Sequence, residues 1–322
     1  MKRSPFQRPI ARRWSFWVCA VLAVLLAALT ATWACRPAPP PAQRVFRTPE
    51  DGVNALLDAT KKGSLDELIA IFGPEGKALV ASSDPASARR NREVFVAATS
   101  ERWRLVDEST NTKVLVVGNE EWPFPVPLVR DGSGWRFDTA AGREEVIARR
   151  IGRNELAAIR ISQTYVLAQR LYARRAHDGN PAGTFAAKFR SDSDRENGLY
   201  WPPAPGRPRS PLGDLVARAA EERRAATQGE ETPSPFHGYY FKILTSQGPA
   251  APGGAKSYVV AGRMNRGFAL AAWPAQYDVT GVMTFIVNHD GLVRQKDLGP
   301  ETDVTVKAMS AYNPDSSWTK VE

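Results

Sequence analysis

Apolar residues recur at three- and four-residue steps between about residues 48 and 72, and that spacing predicts helices. Thr48-Pro49-Glu50-Asp51 supplies a start, with the threonine as cap, the proline in the first helical position and acids in the first turn. Val53, Leu56 and Leu57 give one apolar face, and Leu65, Leu68, Ile69 and Phe72 a second. Lys62-Gly63-Ser64 divides them into two short helices, and a third helical stretch covers 89–100. The pattern then turns extended over 114–117, 124–129 and 135–137, the last two joined by Asp131-Gly132-Ser133-Gly134. Pro123, Pro125 and Pro127 alternate around the middle run, which therefore belongs at a sheet edge or a bulge, because proline donates no ladder hydrogen bond.

The strongest helical pattern runs from 144 to 176, where Ala157, Ile161, Thr164, Ala168, Leu171 and Tyr172 share one side and Gly152 marks a bend or interruption. An extended segment at 185–189, a polar loop at 190–198 and a short amphipathic helix at 214–226 follow. Strands are then expected at 238–246, 256–261, 267–273, 282–288 and 292–296, each bounded by turn residues. Asn288-His289-Asp290-Gly291 is the clearest hairpin signal, since Asp-Gly tolerates the positive φ angles of tight turns. The expected fold is α+β: N-terminal helices plus a curved antiparallel sheet, then a long helix packed on an antiparallel β-meander. Residues 47–145 form the first expected domain and 146–322 the second. The first is similar in outline to the cone-shaped nuclear-transport-factor-like domains, which hold a small ligand in the cone or serve as scaffolds. The second, with NELAAIRISQTYVLAQRLYA ahead of hairpins such as GVMTFIVNHDGLVRQ, resembles the globular part of pseudopilins. No pilin-type processing site precedes Glu155, so that resemblance extends to the architecture and not to a fibre.

The N-terminal 34 residues change the picture. WSFWVCAVLAVLLAALTATWA, from Trp14 to Ala34, carries no charge and follows Lys2, Arg3, Arg8, Arg12 and Arg13. Such a segment is an export signal or a membrane anchor, with the basic flank cytoplasmic and the remainder outside. Thr32-Trp33-Ala34 before Cys35 resembles both a small-x-small cleavage site and a bacterial lipoprotein signal, so Cys35 is a candidate for lipid attachment. Cleavage, lipidation and retention remain three alternatives. Residues 35–46, with Pro37, Pro39, Pro40 and Pro41, read as a solvated tether. The location expected is the bacterial cell envelope, periplasmic or membrane-anchored. Cys19 lies inside the apolar run, which leaves the exported part Cys35 alone and no intrachain disulfide. The formal charge of +9 falls by five when the leader is set aside, and no basic stripe is interleaved with aromatics, which argues against a nucleic-acid partner. A chain that is 43% hydrophobic and 24% charged has the composition of a globular protein.

Ten ordered segments are similar to one family of bacterial exported proteins, domain-of-unknown-function family 2950. They are WPFPVPLV, WRFDTAAGREE, RRIGRNE, GLYWP, SPLG, HGYYFKILTSQG, GFALAAWPAQY, GVMTFIVN, QKDLGPET and NPDSSW, lying between Trp122 and Trp318, and the match runs from about Phe46 to Trp318. The resemblance implies an exported protein and brings with it no activity, substrate or catalytic residues.

Candidate chemistry is sparse. His177, His237 and His289 each stand alone, without the spacing of a zinc site, and no nucleophile elbow, phosphate-binding loop or dinucleotide fingerprint occurs. No catalytic residue, metal or cofactor is expected. The densest charge cluster is Glu144, Glu145, Arg149, Arg150, Arg153, Asn154 and Glu155. It reads in three ways: an i,i+4 pair on a solvated helix, an arginine clamp for an anionic group, or a set of contacts pinning the two domains together. Tyr200, Trp201, Tyr239 and Tyr240 are candidates for an aromatic binding surface, with core packing as the alternative. The expected function is a non-enzymatic binding or assembly module for a protein or polymer partner in the envelope. The alternative is an envelope hydrolase or small-ligand binder with a pocket at the domain junction.

Overall fold

The computed structural model describes residues 42–80, 85–132, 134–213 and 235–321. The leader, Cys35 and the helix expected at 214–226 lie outside them. Helix α1 (Pro49–Lys62) starts with a complete capping box, in which Thr48 and Asp51 each bind the other's amide. It stops at Gly63, whose φ of 68° is the left-handed conformation that glycine adopts without strain. Ser64 then caps α2 (Leu65–Phe72), so the three polar residues between the apolar faces end one helix and begin the next. The buried side of α2 is Ile71 and Phe72, whereas Leu65 is exposed, so the face is rotated from the expected one. A single 3-10 turn leads to α3 (Lys77–Val80), and α4 (Pro85–Glu101) follows.

Five antiparallel strands come next: β1 (Trp103–Ser109), β2 (Thr112–Val117), β3 (Trp122–Pro123), β4 (Leu128–Asp131) and β5 (Gly134–Phe137), in the order β1-β2-β4-β5 with β3 on β2. Strand β1, half exposed along its length, was not expected from the pattern. The run expected at 124–129 is broken. Strand β3 pairs with Val116 and Val117, β4 pairs with Thr112 and Lys113, and the prolines between them contribute no ladder amides. Residues 43–46, expected in the tether, belong to the fold instead. Phe46 is buried and exchanges two backbone hydrogen bonds of 2.8 Å with Trp135, while Gln43 donates to the carbonyls of Ile71 and Phe137.

Helix α5 (Thr139–Tyr172) begins five residues before the expected start, capped by Asp138, and continues through Gly152 without interruption. Its second half lies on a five-stranded antiparallel sheet of order β14-β13-β12-β11-β6. The strands are β6 (Tyr239–Leu244), β11 (Ala269–Pro274), β12 (Met283–Asn288), β13 (Arg294–Asp297) and β14 (Thr319–Lys320). Between β6 and β11 lie four two-residue strands, β7 (Ser246–Gln247), β8 (Lys256–Ser257), β9 (Val259–Val260) and β10 (Arg263–Met264), which divide the strand expected at 256–261 at the buried Tyr258. The β12–β13 hairpin is present, but the ladder pairs Ile286 with Arg294, so a longer loop replaces a two-residue turn. A short helix, α6 (Thr302–Ala308), was not anticipated; only Thr302 and Val306 of it are buried. The fold is α+β.

Among the described residues, buried apolar side chains form two separate clusters. One gathers Val53, Leu56, Ile71, Leu115, Leu128 and Phe137 under α1 and α2. The other gathers Tyr165, Tyr172, Leu199, Phe268, Phe285 and Tyr312 between α5 and the second sheet.

Candidate functional site

A cavity of about 890 Å³ opens on the N-terminal cluster, within the roughly 300–1,000 Å³ typical of small-molecule sites. Its floor is apolar: Leu56 from α1, Leu68 and Phe72 from α2, and Val117 from β2. Helix α4 gives one wall through Val94, Phe95 and Ala98. The opposite wall comes from the proline-broken segment. Because Phe124 and Pro125 lie outside both β3 and β4, they line the cavity rather than a sheet face. The Phe124 amide still reaches the carbonyl of Leu115 at 2.7 Å, which fixes its position. Its ring meets Phe95 at 5.4 Å, Trp122 at 6.3 Å and Phe72 at 6.4 Å between centroids, an aromatic lining of adjustable edges and faces.

Polar groups gather at the mouth. Glu101 and Glu120 lie on one side, with the Glu101 carboxylate accepting the Asn119 amide at 2.9 Å. Arg149 and Arg153 come from α5 on the other. The Arg149 guanidinium is held three ways: by Glu145 at 2.7 Å, by the Pro123 carbonyl at 2.7 Å, and over the Trp122 ring at 5.3 Å. Arg153 is exposed and makes no ion pair with any described residue. Val94 and Trp122 at the rim are 63% and 44% exposed, so the apolar lining reaches the surface.

The charge cluster on α5 divides between two neighbours. Arg149 contacts the N-terminal half as described, whereas Asn154 donates to the Thr280 carbonyl at 2.8 Å. The Glu155 carboxylate accepts the amides of Val282 and Met283, both at 2.9 Å, ahead of and within β12. A stretch of seven residues therefore grips both halves of the molecule. Glu144 and Arg150 are exposed, and neither is brought to the cavity.

The aromatic surface expected from Tyr200, Trp201, Tyr239 and Tyr240 is not assembled. Trp201 and Tyr239 are buried at 2% and 0%, because the pleat turns Tyr239 into the core, where its hydroxyl donates to the Met283 carbonyl at 2.9 Å. Tyr240 packs beside Trp273, and Tyr200 lies 5.9 Å below the Arg190 guanidinium. His177 is buried at the end of α5, stacked on Tyr172 at 4.1 Å, with its ring nitrogens 3.2 Å from Glu196 and 3.0 Å from the Tyr172 carbonyl. It fastens the loop after the helix. His289 fills the β12–β13 turn between Tyr258 and Phe268, where burial pushes its pKa down. His237 sits in the turn before β6 with a positive φ. Among the described residues no group of acids, histidines or cysteines is arranged to hold a metal ion. The cavity residues of α4 went unread in the sequence; the one available signal was Phe124 between alternating prolines.

A model of the family described as Protein of unknown function (DUF2950) matches residues 43–321. No curated protein and no solved structure matches the chain.

Proposed function

We propose, for a chain that belongs to the DUF2950 family of proteins of unknown function, a non-enzymatic binding role in the bacterial cell envelope, exercised through the N-terminal cavity. The observation that carries the reading is the 890 Å³ space itself, apolar in its depth and edged by Arg149 and Arg153. An occupant that fits is an amphiphile, with an apolar body against Phe72, Phe95 and Phe124 and an anionic end at Arg153, which makes no ion pair with any described residue. Guanidinium suits a carboxylate or phosphate, since its planar fork donates two parallel hydrogen bonds. The hydrolase alternative around Glu144 and Glu155 finds less support, because the Glu155 carboxylate is occupied by two backbone amides.

Envelope location rests on the basic, then uncharged, then proline-rich order of residues 1–41. Intact mass of the chain extracted from bacterial membranes, beside a Cys35→Ala variant, tests it. A chain beginning at Cys35 with added acyl mass makes it a lipoprotein; one beginning at Cys35 without that mass makes it periplasmic; a full-length mass makes it anchored. A chain recovered only from the cytosol overturns the location.

A further inference from the structure

The solvent face of α5 presents a surface separate from the cavity floor. Between 156 and 175 the sequence contains Arg160, Arg170, Arg174 and Arg175 and no aspartate or glutamate. Leu156, Leu167 and Leu171 are 56%, 64% and 48% exposed, while Ile161, Tyr165, Ala168 and Tyr172 on the opposite side are buried. At 3.6 residues per turn, Leu156, Arg160, Leu167 and Leu171 fall on one stripe about 22 Å long, Arg153 continues it towards the cavity mouth, and the exposed Arg174 lies in the turn just past its other end. Single exposed leucines are ordinary; three on one line among arginines are not. Arg170 donates to the His289 carbonyl at 3.0 Å, whereas Arg153, Arg160 and Arg174 make no ion pair with any described residue.

We propose that this face of α5 lies against an anionic membrane surface, with the leucines at the acyl boundary and Arg153, Arg160 and Arg174 on lipid phosphates. Charge complementarity carries the choice of occupant. A stripe of leucines flanked by cations without acids is the pattern of helices that lie in the headgroup plane, and guanidinium binds phosphate bidentately. The chain outside the described residues fits the same placement. Only residues 35–41 separate the uncharged run from Ala42, a reach of roughly 25 Å when extended. Gln43 is bonded to the Phe137 carbonyl, two residues ahead of α5, so the tether enters at the start of the helix, about 21 Å along its axis from Arg153. The inference rests on the envelope location proposed above and not on the cavity; an empty cavity leaves it standing, and a failed membrane contact leaves the cavity reading standing.

Carbene footprinting of the full chain reconstituted in vesicles tests it, because the reagent reads side-chain exposure. Labelling of Leu156, Leu167 and Leu171 is expected to fall severalfold on phosphatidylglycerol vesicles relative to phosphatidylcholine vesicles. Val304, 65% exposed on α6, serves as the unchanged reference. A variant with Arg160→Ser and Arg174→Ser, which leaves Arg153 at the cavity mouth in place, loses the difference while keeping its circular dichroism. Equal labelling on the two lipids overturns the proposal. So does protection that is already complete in detergent, which assigns the face to another part of the chain or a second copy. Protection by added polyglutamate but by neither vesicle overturns it as well and assigns the face to an acidic protein.

Discussion

Glu155 shows how one side chain can decide between readings of a sequence. As a carboxylate in a charge cluster it was a candidate for binding or for pinning the two domains; in the fold its Oε1 accepts two amides of the β12 approach. Glu155→Ala leaves both amides without that partner and is expected to lower stability by about 1–3 kcal/mol. Glu155→Gln keeps a carbonyl oxygen in place and is expected to cost less. Urea midpoints of the two variants check this; equal midpoints, with the glutamine variant as damaged as the alanine one, contradict the assignment. The partner amides lie 127 and 128 residues away in sequence, which is why the role was not legible beforehand. Gln169 was equally hidden. It is fully buried, donates to the Ala186 carbonyl at 2.7 Å and accepts the Ala186 amide at 2.9 Å, a clamp that helical periodicity does not mark. Capping residues were legible because their signal is local: Thr48, Gly63 and Ser64 act within four residues of themselves.

At the scale of elements, α5 was read correctly as the main helix, and the interruption that Gly152 offered does not occur. A glycine lowers helix propensity, but the contacts of Arg149 before it and of Asn154 and Glu155 after it tie down both sides. A Cβ at Gly152 would meet nothing within 4 Å, so Gly152→Ala is expected to stabilise the protein by about 0.5–1 kcal/mol. Gly142 in the first turns of the same helix is the opposite case. A Cβ there would come within 2.6 Å of Val126, so Gly142→Ala is expected to destabilise by about 1–3 kcal/mol. Thermal unfolding of the pair checks both signs; like signs contradict this account of the helix. The proline-rich strand was legible as an edge or bulge, since missing amide donors are a property of the residue itself. What the prolines build was not, because the wall at Phe124 exists only once α4 and α5 have packed beside it. Strand β1 and helix α6 were missed for a related reason: each is largely exposed, so burial leaves little periodic trace in its sequence.

Over the whole molecule, α5 contributes to the second of the two apolar clusters, which is dense in buried phenols. Burial raises the pKa of Tyr172 and of Tyr258 from the ordinary 10.0 to about 12, and raises those of Tyr165, Tyr239 and Tyr312 too. A raised folded-state pKa means the unfolded chain loses its protons first. The stability contributed is therefore complete below pH 10 and is lost as pH rises towards 12 and beyond. Urea unfolding across that interval is expected to show a falling midpoint, smaller in Tyr258→Phe; a flat profile contradicts the burial argument. The general plan of helices and sheet, then long helix and meander, followed from periodicity, whereas the cavity is a property of assembly. The central claim is that this cavity takes an amphiphile, and a titration with a long-chain fatty acid tests it most directly. The wild-type chain is predicted to bind the acid saturably. Ala98→Trp or Val94→Trp, each placing an indole at the cavity with circular dichroism unchanged, is predicted to weaken binding more than tenfold, and Arg153→Ser to weaken the acid but not the matching alcohol. Absence of saturable binding, or equal affinity in the wild type and in both tryptophan variants, would contradict it.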